Sequence, residues 1–453
     1  MHRRSAVRPL LLVSLALTCA TASACSGAGG GGGSSDDSGG KSIDVIMVNN
    51  PQMTDLERLT EEYFTKETGI TVNYTVQPEN EVRAKIAQDF TSQAGSYDVA
   101  TISNYEVPIF DGQGWLTSMT PYIEEDTDFD VDDIFPAMID SLTGEDGEVY
   151  GMPFYGESSF LMYRKDVAEK ANVQISEQPT WDEVADAAAK LDGAEPGMSG
   201  ICLRGLPGWG EVFAPLTTVV NTFGGTWFTE DWEAGVDSPE FTEAVNFYVD
   251  LVREHGQTGA AQSGFAECLN AVTQSKAAMW YDATSAAGSL EAPDSPVKGK
   301  IAYAQAPVKE TDASGWLYTW AWGIQAASEN PDEAWEFISW ASSKEYEELV
   351  GEELGWAKAP AGKRQSLYEN EAYLKEAPFA EATLTALENA DPTDPGTQPR
   401  PAIGIQFMAI PEFADLATGV SEGVSAAIAG RGSVEDALAE GQEEAQDVAD
   451  SYK

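Results

Sequence analysis

Several of the 12 tryptophans stand beside glycine or proline, or close to one another, which is unusual for a ring that only fills a core. These are Trp209, Trp227, Trp316, Trp320, Trp322 and Trp356. An aromatic face covers the C–H surface of a carbohydrate, while each hydroxyl group needs both a hydrogen-bond donor and an acceptor. Asp, Glu, Asn and Arg side chains supply those partners in planar, two-pronged form. The tryptophans and the many carboxylates together favour a site for a polyhydroxylated small molecule.

Catalysis that depends on histidine has little material here, because the 453 residues include only two histidines. One is His2, and the other is His255, in a Glu-His-Gly sequence typical of a helix end. His-based metal sites, Ser-His-Asp triads and Cys-His pairs are therefore excluded, and we expect neither a metal nor a cofactor. A glycosidase needs only two carboxylates, which 75 acidic residues supply by chance. A surface carbohydrate-active enzyme stays the alternative from another class.

The acidic residues greatly outnumber the basic ones, and the formal net charge is −49. Without residues 1–24, which hold three basic residues and no acidic one, 23 basic and 75 acidic residues leave −52. Nucleic acid is excluded as a partner because phosphate contacts need Lys and Arg. We interpret the acid excess as a solvated surface.

Residues 1–24 have the features of an export signal. Three arginines precede an apolar run at 10–20, which is too short for a membrane span of ~20 residues but suits a signal-peptide core. Small residues then lead to Cys25, the kind of cysteine that lipoprotein processing modifies. We predict lipidation at Cys25; a plain secretory signal with an incidental cysteine is the alternative.

The segment 25–42 is rich in Gly, Ser and Asp and predicts a flexible tether behind the lipidated cysteine. We expect a monomeric body on the outer face of the cell membrane that contacts the membrane only through this anchor. The residues after the tether are too many for one core, so we expect two lobes.

Cys202 and Cys268 are the two cysteines left once Cys25 is lipidated and Cys19 is removed with the signal. In an oxidising compartment they can pair as a disulfide. Two independent free thiols are the alternative.

The first part of the body alternates strand and helix patterns. Strands are predicted at 42–48, 70–76 and 97–102, a spacing of about 27 residues that suits βα units of a parallel sheet. A capping-box pattern at 54–57 predicts a helix start after the first strand. Ligand crevices lie beyond the carboxyl ends of such strands. The polar residues that follow the three strands are Asn49, Asn50, Glu79, Asn80, Asn104, Tyr105 and Glu106.

The later part predicts mainly helices. A second capping box opens a helix at 180–191, and further amphipathic helices are predicted at 239–254, 332–340 and 433–448. The proline-rich stretch 391–401 predicts a loop.

From residue 43 to residue 452 the chain resembles the family 1 extracellular solute-binding proteins of ABC importers. The stretches that carry this resemblance are 146–153 (DGEVYGMP), 161–166 (LMYRKD), 178–183 (QPTWDE), 223–225 (FGG) and 276–280 (KAAMW). A narrower resemblance is to the branch that binds mannitol, sorbitol and related polyols. It rests on 153–159 (PFYGESS), 200–205 (GICLRG), 282–284 (DAT) and 404–407 (GIQF).

The resemblance implies a type II periplasmic-binding fold, in which two doubly wound α/β lobes enclose a ligand cleft and crossing hinge segments join them. We expect residues 43–152 and 283–330 in the first lobe, and 153–282 and 331–453 in the second. It further implies a protein that captures a sugar alcohol or sugar and delivers it to ABC permease subunits. An aldose or oligosaccharide ligand is the alternative within the family.

The predicted ligand-binding residues combine the polar loops, the tryptophans beside glycine, proline or one another, and the resemblance. From the first lobe they are Asn49, Asn80, Tyr105 and Glu106, with Asp282 near the crossing. The other predicted residues are Glu157, Arg204, Trp209, Trp227, Trp320, Trp322 and Trp356. Arg204 is the most specific choice because arginine is rare in the body and this one stands among apolar residues and glycines. A structural ion pair is the alternative role for Arg204.

Overall fold

Two β-sheets form the centre of the computed structural model, which describes residues 41–453. The predicted signal segment 1–24, the predicted lipidation site Cys25 and nearly all of the predicted tether lie outside the described residues. The strands are β1 (Ser42–Val48), β2 (Thr71–Gln77), β3 (Val99–Ser103), β4 (Met152–Glu157), β5 (Ser159–Arg164), β6 (Ser199–Cys202), β7 (Ala277–Ala283), β8 (Ile301–Gln305) and β9 (Tyr318–Ile324).

Helices pack around these sheets. They are α1 (Pro51–Thr60), α2 (Lys66–Thr68), α3 (Glu79–Ser92), α4 (Glu106–Gly112), α5 (Thr120–Glu125), α6 (Pro136–Asp140), α7 (Lys165–Lys170), α8 (Trp181–Leu191), α9 (Phe213–Thr222), α10 (Pro239–His255), α11 (Phe265–Thr273), α12 (Ala286–Leu290), α13 (Pro331–Ala341), α14 (Lys344–Val350), α15 (Glu371–Glu376), α16 (Ala380–Glu388), α17 (Phe413–Ile428) and α18 (Val434–Ser451). Short π-helical turns at Glu61–Thr65 and Gly351–Gly355 and 3-10 turns at Val131–Asp133, Ala260–Gln262, Trp356–Lys358 and Ser366–Glu369 accompany them. In this described part of the chain, no helix is both long and apolar enough to cross a membrane.

The first sheet has the strand order β2-β1-β3-β9-β4. β1 lies parallel to β2 and β3, whereas β9 runs antiparallel between β3 and β4. Ile46, Met47 and Val48 are buried at consecutive positions of β1, as expected for a strand with helices on both faces. The three predicted parallel strands are confirmed to within two residues, and the antiparallel return makes the sheet mixed.

The second sheet has the order β6-β7-β5-β8. β6 and β7 are parallel, while β5 lies antiparallel to both β7 and β8. Its helix α8 begins where the capping box predicted, because the Thr180 side chain accepts a hydrogen bond from the Glu183 amide at 3.1 Å. The helix start predicted from the capping-box pattern at 54–57 is wrong. α1 begins at Pro51, since the Asn50 side chain accepts from the Met53 amide and caps the helix there.

Strand pairing and helix packing differ from the expected lobe boundaries at three places. β4 was expected in the second lobe, but it pairs with β9 in the first sheet. β8 was expected in the first lobe, but it pairs with β5 in the second sheet. α13, expected in the second lobe, packs against β1 and β9. The reason is the antiparallel pairing, which brings together strands that are distant in sequence. A βα periodicity in the sequence does not indicate such pairs.

Candidate ligand-binding site

A cavity of about 250 Å³ lies where the two sheets approach each other. Residues after β1 and β2 line one side, beyond the carboxyl ends of those strands. Segments after β6 and β7 and the first turn of α11 line the other side. The polar side chains of the lining are Asn49, Asn50, Gln52, Glu79, Arg83, Tyr155, Glu157, Arg204, Glu211, Glu267, Ser285, Tyr318 and Gln406, together with the Trp320 indole.

Local structure fixes the polar groups at the start of α1. The Asn50 oxygen caps the helix, so its amide nitrogen is turned the other way and donates to the Tyr155 hydroxyl at 2.6 Å. Two residues on, Gln52 Nε2 donates to the Ser285 carbonyl oxygen at 3.0 Å. Because Ser285 follows β7, this bond joins the two sides of the cavity.

Arg83 on α3 organises the wall of the first sheet. Its Nη2 donates to Glu79 Oε1 and to the Tyr318 hydroxyl, both at 2.8 Å, and its Nη1 donates to Glu106 Oε1 at 2.5 Å. The guanidinium carbon lies 4.0 Å from the Trp209 ring centroid and 5.1 Å from that of Trp320. Burial by itself lowers the pKa of Arg83, but the Tyr318 hydroxyl and the two carboxylates raise it well above its ordinary value. Arg83 is thus held charged between two indoles.

Arg204 and Asp282 form the centre of the opposite wall. Arg204 Nε and Nη2 donate to the two Asp282 carboxylate oxygens at 2.8 and 2.6 Å, and Nη1 donates to the Gly210 carbonyl at 3.0 Å. Asp282 also accepts from Trp280 Nε1 at 3.0 Å. Of the five N–H groups of the guanidinium, these bonds use three. Within the described residues, one N–H on each terminal nitrogen of Arg204 makes no hydrogen bond.

The carboxyl groups of Glu157 and Glu211 also face the cavity, and neither forms a two-pronged ion pair like that of Asp282 with Arg204. Burial raises the pKa of Glu157 to about 8, although the Ser285 hydroxyl donates to its Oε2 at 2.5 Å. Burial, together with the negative charge of Glu79, also raises the pKa of Glu211 to about 8. Glu211 Oε2 is buried and has no hydrogen-bond partner among the residues that the structure describes, and Arg204 Nη1 lies 3.6 Å away. Near neutral pH each carboxyl can both donate and accept a hydrogen bond, as a hydroxyl ligand requires.

Four of the predicted residues line the cavity: Asn49, Glu157, Arg204 and Trp320. Four others lie directly behind the lining. Tyr105 and Trp209 pack together at 4.8 Å between ring centroids, Glu106 binds Arg83, and Asp282 binds Arg204. Asp282 is fully buried, so it positions Arg204 rather than reaching the cavity.

The remaining four predicted residues lie elsewhere. Trp227 packs against Phe213, Phe241 and Phe413 in the core. Trp322 shares a sheet face with Trp320, but it stands one pleat further from the cavity and is fully buried.

Trp356 and Asn80 are the other two. The Trp356 ring lies against Gly351 in the helical turns after α14. Asn80 Nδ2 donates to the Pro207 carbonyl at 3.1 Å, so it links the two sides beside the cavity rather than lining it.

Sequence reasoning missed several residues of the lining, above all Arg83 and Glu211. It named Glu79 among the polar residues that follow the strands but did not select it. Glu79 and Arg83 stand four residues apart on α3, and this i,i+4 spacing of opposite charges was a readable signal. Glu211 follows Trp209 and Gly210, so the argument from tryptophans beside glycine already pointed to its neighbourhood.

The structure also pairs the two remaining cysteines. Cys202, at the end of β6, and Cys268, on α11, form a disulfide with their Cα atoms 5.6 Å apart. Both residues are fully buried.

Two β-sheets, each packed with helices, have a polar cavity between them. This is the architecture of a protein that encloses a small solute. Comparison with known proteins agrees: the family of bacterial extracellular solute-binding proteins matches residues 38–348. The chain belongs to this family, and both the predicted family and the predicted fold class are confirmed.

Individual relatives extend this result. The chain is 38% identical to the mannitol-binding protein of Pseudomonas aeruginosa, over 93% of this chain and 96% of the relative. An ABC transporter solute-binding protein from Agrobacterium vitis S4, solved with bound D-mannitol, is 40% identical with a TM-score of 0.88, over 91% of this chain and 99% of that one. Maltose-bound T. maritima MalE3 is 21% identical with a TM-score of 0.77, over 90% and 99% of the two chains, and supports the fold alone.

Proposed function

We propose that this protein captures a linear sugar alcohol similar to mannitol or sorbitol and delivers it to the permease of an ABC importer. The observation that carries the proposal is the lining of the cavity, which combines hydrogen-bond donors and acceptors around a space of about 250 Å³. The similarity to a mannitol-binding protein and to a structure with bound D-mannitol supports it.

The chemistry of the lining suits several hydroxyl groups. The two free N–H groups of Arg204 donate, the carboxyl groups of Glu157 and Glu211 accept or donate, and Asn49 can do both. A buried polar group left without a partner costs ~1–3 kcal/mol, so a site of this kind rejects ligands that lack the matching hydroxyl.

The size and shape of the cavity favour a small, open-chain solute over an oligosaccharide. Ligand pockets usually measure ~300–1,000 Å³, and this cavity is smaller. Its aromatic side chains are few: Trp320, Phe265, Phe407, Tyr155 and Tyr318 stand among more numerous polar groups. A pyranose ring gains most from flat stacking surfaces, whereas a linear polyol depends on hydrogen bonds.

We further propose that the body consists of two lobes that close over the ligand. The strand pairing supports a first lobe that contains β1 to β4 and β9, and a second lobe that contains β5 to β8. The bonds from Gln52 to Ser285 and from Asn80 to Pro207 span the two sides and would have to break on opening. A ligand that contacts both sides stabilises the closed state, which is the state a permease can distinguish.

The proposed location is the outer face of the cell membrane, with Cys25 carrying the lipid. The support is the sequence: an apolar run after three arginines, small residues before Cys25 and a glycine-rich segment after it. The family, whose members are extracellular, agrees with export.

A thermal-shift panel tests the proposed function. D-mannitol, sorbitol, arabitol, glucose and maltose are each added to the purified protein, and the alditols are expected to raise the unfolding midpoint most. Stabilisation reaches ~2.7 kcal/mol at a ligand concentration of 100 times Kd. Mass spectrometry of the same samples after long incubation tests the enzyme alternative, and sugar cleavage would contradict the proposal.

A further inference from the structure

The disulfide between Cys202 and Cys268 joins two segments that both line the cavity. Cys202 ends β6, two residues before Arg204. Cys268 lies on α11, whose first turn contributes Phe265 and Glu267 to the lining. The covalent link therefore connects the segment that carries the central arginine of the site to the segment that faces it.

Helix α11 has a small buried face. Of its nine residues, only Cys268 and Val272 are buried, while Phe265, Leu269 and Ala271 are half-buried against the same core. Helices in proteins are stabilised mainly by burying an apolar face, and here the disulfide is one of the two fully buried contacts of that face. The chain that leads into α11, 256–264, contains one short 3-10 turn and Gly259 with a positive φ of 79°.

The contacts around the disulfide are concentrated on the same two segments. Gln257 Nε2 donates to the Leu203 carbonyl at 2.7 Å, and its Oε1 accepts from the Leu203 amide at 3.3 Å. The Gly205 amide donates to the Ser263 carbonyl at 2.8 Å. The Phe265 ring centroid lies 5.2 Å from the guanidinium carbon of Arg204. All of these contacts join 203–206 to 257–265, the two segments that the disulfide also links.

We propose that the disulfide is a positioning element of the ligand site: it holds Arg204 and the first turn of α11 at the spacing that the ligand requires. Loss of the disulfide lowers ligand affinity more than a substitution far from the cavity that destabilises the protein by the same amount. The effect on ligand affinity rests on the proposed function, whereas the effect on the rigidity of the wall does not. Cys202 and Cys268 themselves do not line the cavity.

Hydrogen exchange tests the wall without any ligand. The variant is Cys202→Ala/Cys268→Ala, and the matched control is Leu438→Ala, a buried residue on α18 that lines no part of the cavity. In the double variant the amides of 203–206 and 264–268 are expected to exchange at least tenfold faster than in the control. If the double variant does not fold, Cys202→Val/Cys268→Ala replaces it and keeps more apolar volume. Equal exchange in the variant and the control overturns the proposal.

Calorimetry with D-mannitol tests the effect on binding. The titrations use a temperature at which wild type and both variants are fully folded. The double variant is expected to bind at least tenfold more weakly than wild type, whereas the Kd of Leu438→Ala should lie within twofold of the wild-type Kd. Wild-type affinity in the double variant overturns the proposal while the proposed function stands. If wild type binds no alditol, the proposed function fails, and hydrogen exchange alone decides whether the disulfide rigidifies this wall.

Discussion

Arg204 and Asp282 form a two-pronged ion pair with N···O distances of 2.8 and 2.6 Å, and both side chains are almost completely buried. Burial by itself lowers the pKa of Arg204, but the carboxylate of Asp282 raises it above its ordinary value. The arginine neutralises a buried carboxylate and also lines the cavity. The sequence left two roles open for Arg204, a ligand contact and a structural ion pair. One arginine with this geometry can fill both.

Replacing Arg204 by alanine should therefore affect stability as well as binding. Removing one partner of a buried pair leaves an uncompensated charge, so Arg204→Ala is expected to lower the free energy of unfolding by ~3–5 kcal/mol. Urea denaturation measures this change. The control is Arg253→Ala, an exposed arginine, which should change stability by less than ~0.5 kcal/mol. Equal midpoints for Arg204→Ala and wild type would contradict the description of the pair.

Glu157 should make stability depend on pH in a defined direction. Its pKa is about 8 in the folded protein, against an ordinary value of 4.5, because burial disfavours the ionised form. Between these values the folded state binds the proton more tightly than the unfolded state, so stability decreases as pH rises from about 4.5 to about 8. The slope for one such group is at most ~1.4 kcal/mol per pH unit.

The Glu157→Gln variant isolates this contribution, since glutamine does not titrate. Urea denaturation at pH 5, 6.5 and 8 is expected to show a smaller loss of stability with rising pH in the variant than in wild type. Parallel curves for the two proteins would show that Glu157 keeps an ordinary pKa. Glu211→Gln should behave in the same direction, because burial raises the pKa of Glu211 as well.

Trp320 and Trp356 should differ in their effect on the ligand. Trp320 lines the cavity near Arg83, whereas Trp356 packs against Gly351 and lines no part of it. Trp320→Phe is expected to weaken D-mannitol binding by ~0.5–1.5 kcal/mol, the usual scale for an aromatic contact. Trp356→Phe should leave the affinity unchanged. Calorimetry on both variants decides, and the reverse order would place the site elsewhere.

The proposed membrane anchor depends on a single sulfur, that of Cys25. Cys25→Ser is expected to move the protein from the membrane fraction to the soluble fraction, because a hydroxyl cannot form the thioether that carries the lipid. Immunoblots of fractionated cells measure the partition, and Ser26→Ala serves as the neighbouring control. Unchanged membrane association of Cys25→Ser would refute the lipoprotein proposal.

Much of the fold was readable from periodicity and capping. The three parallel strands and the helices that begin at Trp181 and Pro239 agree with prediction, since each depends on neighbouring residues. The antiparallel return of β9 was not readable, because it depends on pairing between residues such as Ser103 and Trp320, more than 200 positions apart. The pairing of β4 and β8 differs from the expected lobe boundaries for the same reason.

The candidate site was only partly readable. The resemblance and the residue types selected Glu157 and Arg204, which line the cavity, but residue type and a neighbouring glycine also selected Trp227, which is in the core. A tryptophan beside glycine can face a cavity or fill the interior, and the difference is set by packing against distant residues such as Phe413. Arg83 was missed because its partners, Glu106 and Tyr318, come from separate segments.

The most direct test of the central claim is calorimetric titration of the wild-type protein with D-mannitol, sorbitol, glucose and maltose under identical conditions. We expect D-mannitol or sorbitol to bind at least a hundredfold more tightly than glucose or maltose, which corresponds to ~2.8 kcal/mol. An unmatched hydroxyl or a ring that does not fit the cavity accounts for a difference of that size. Tighter binding of glucose or maltose than of either alditol would contradict the assignment.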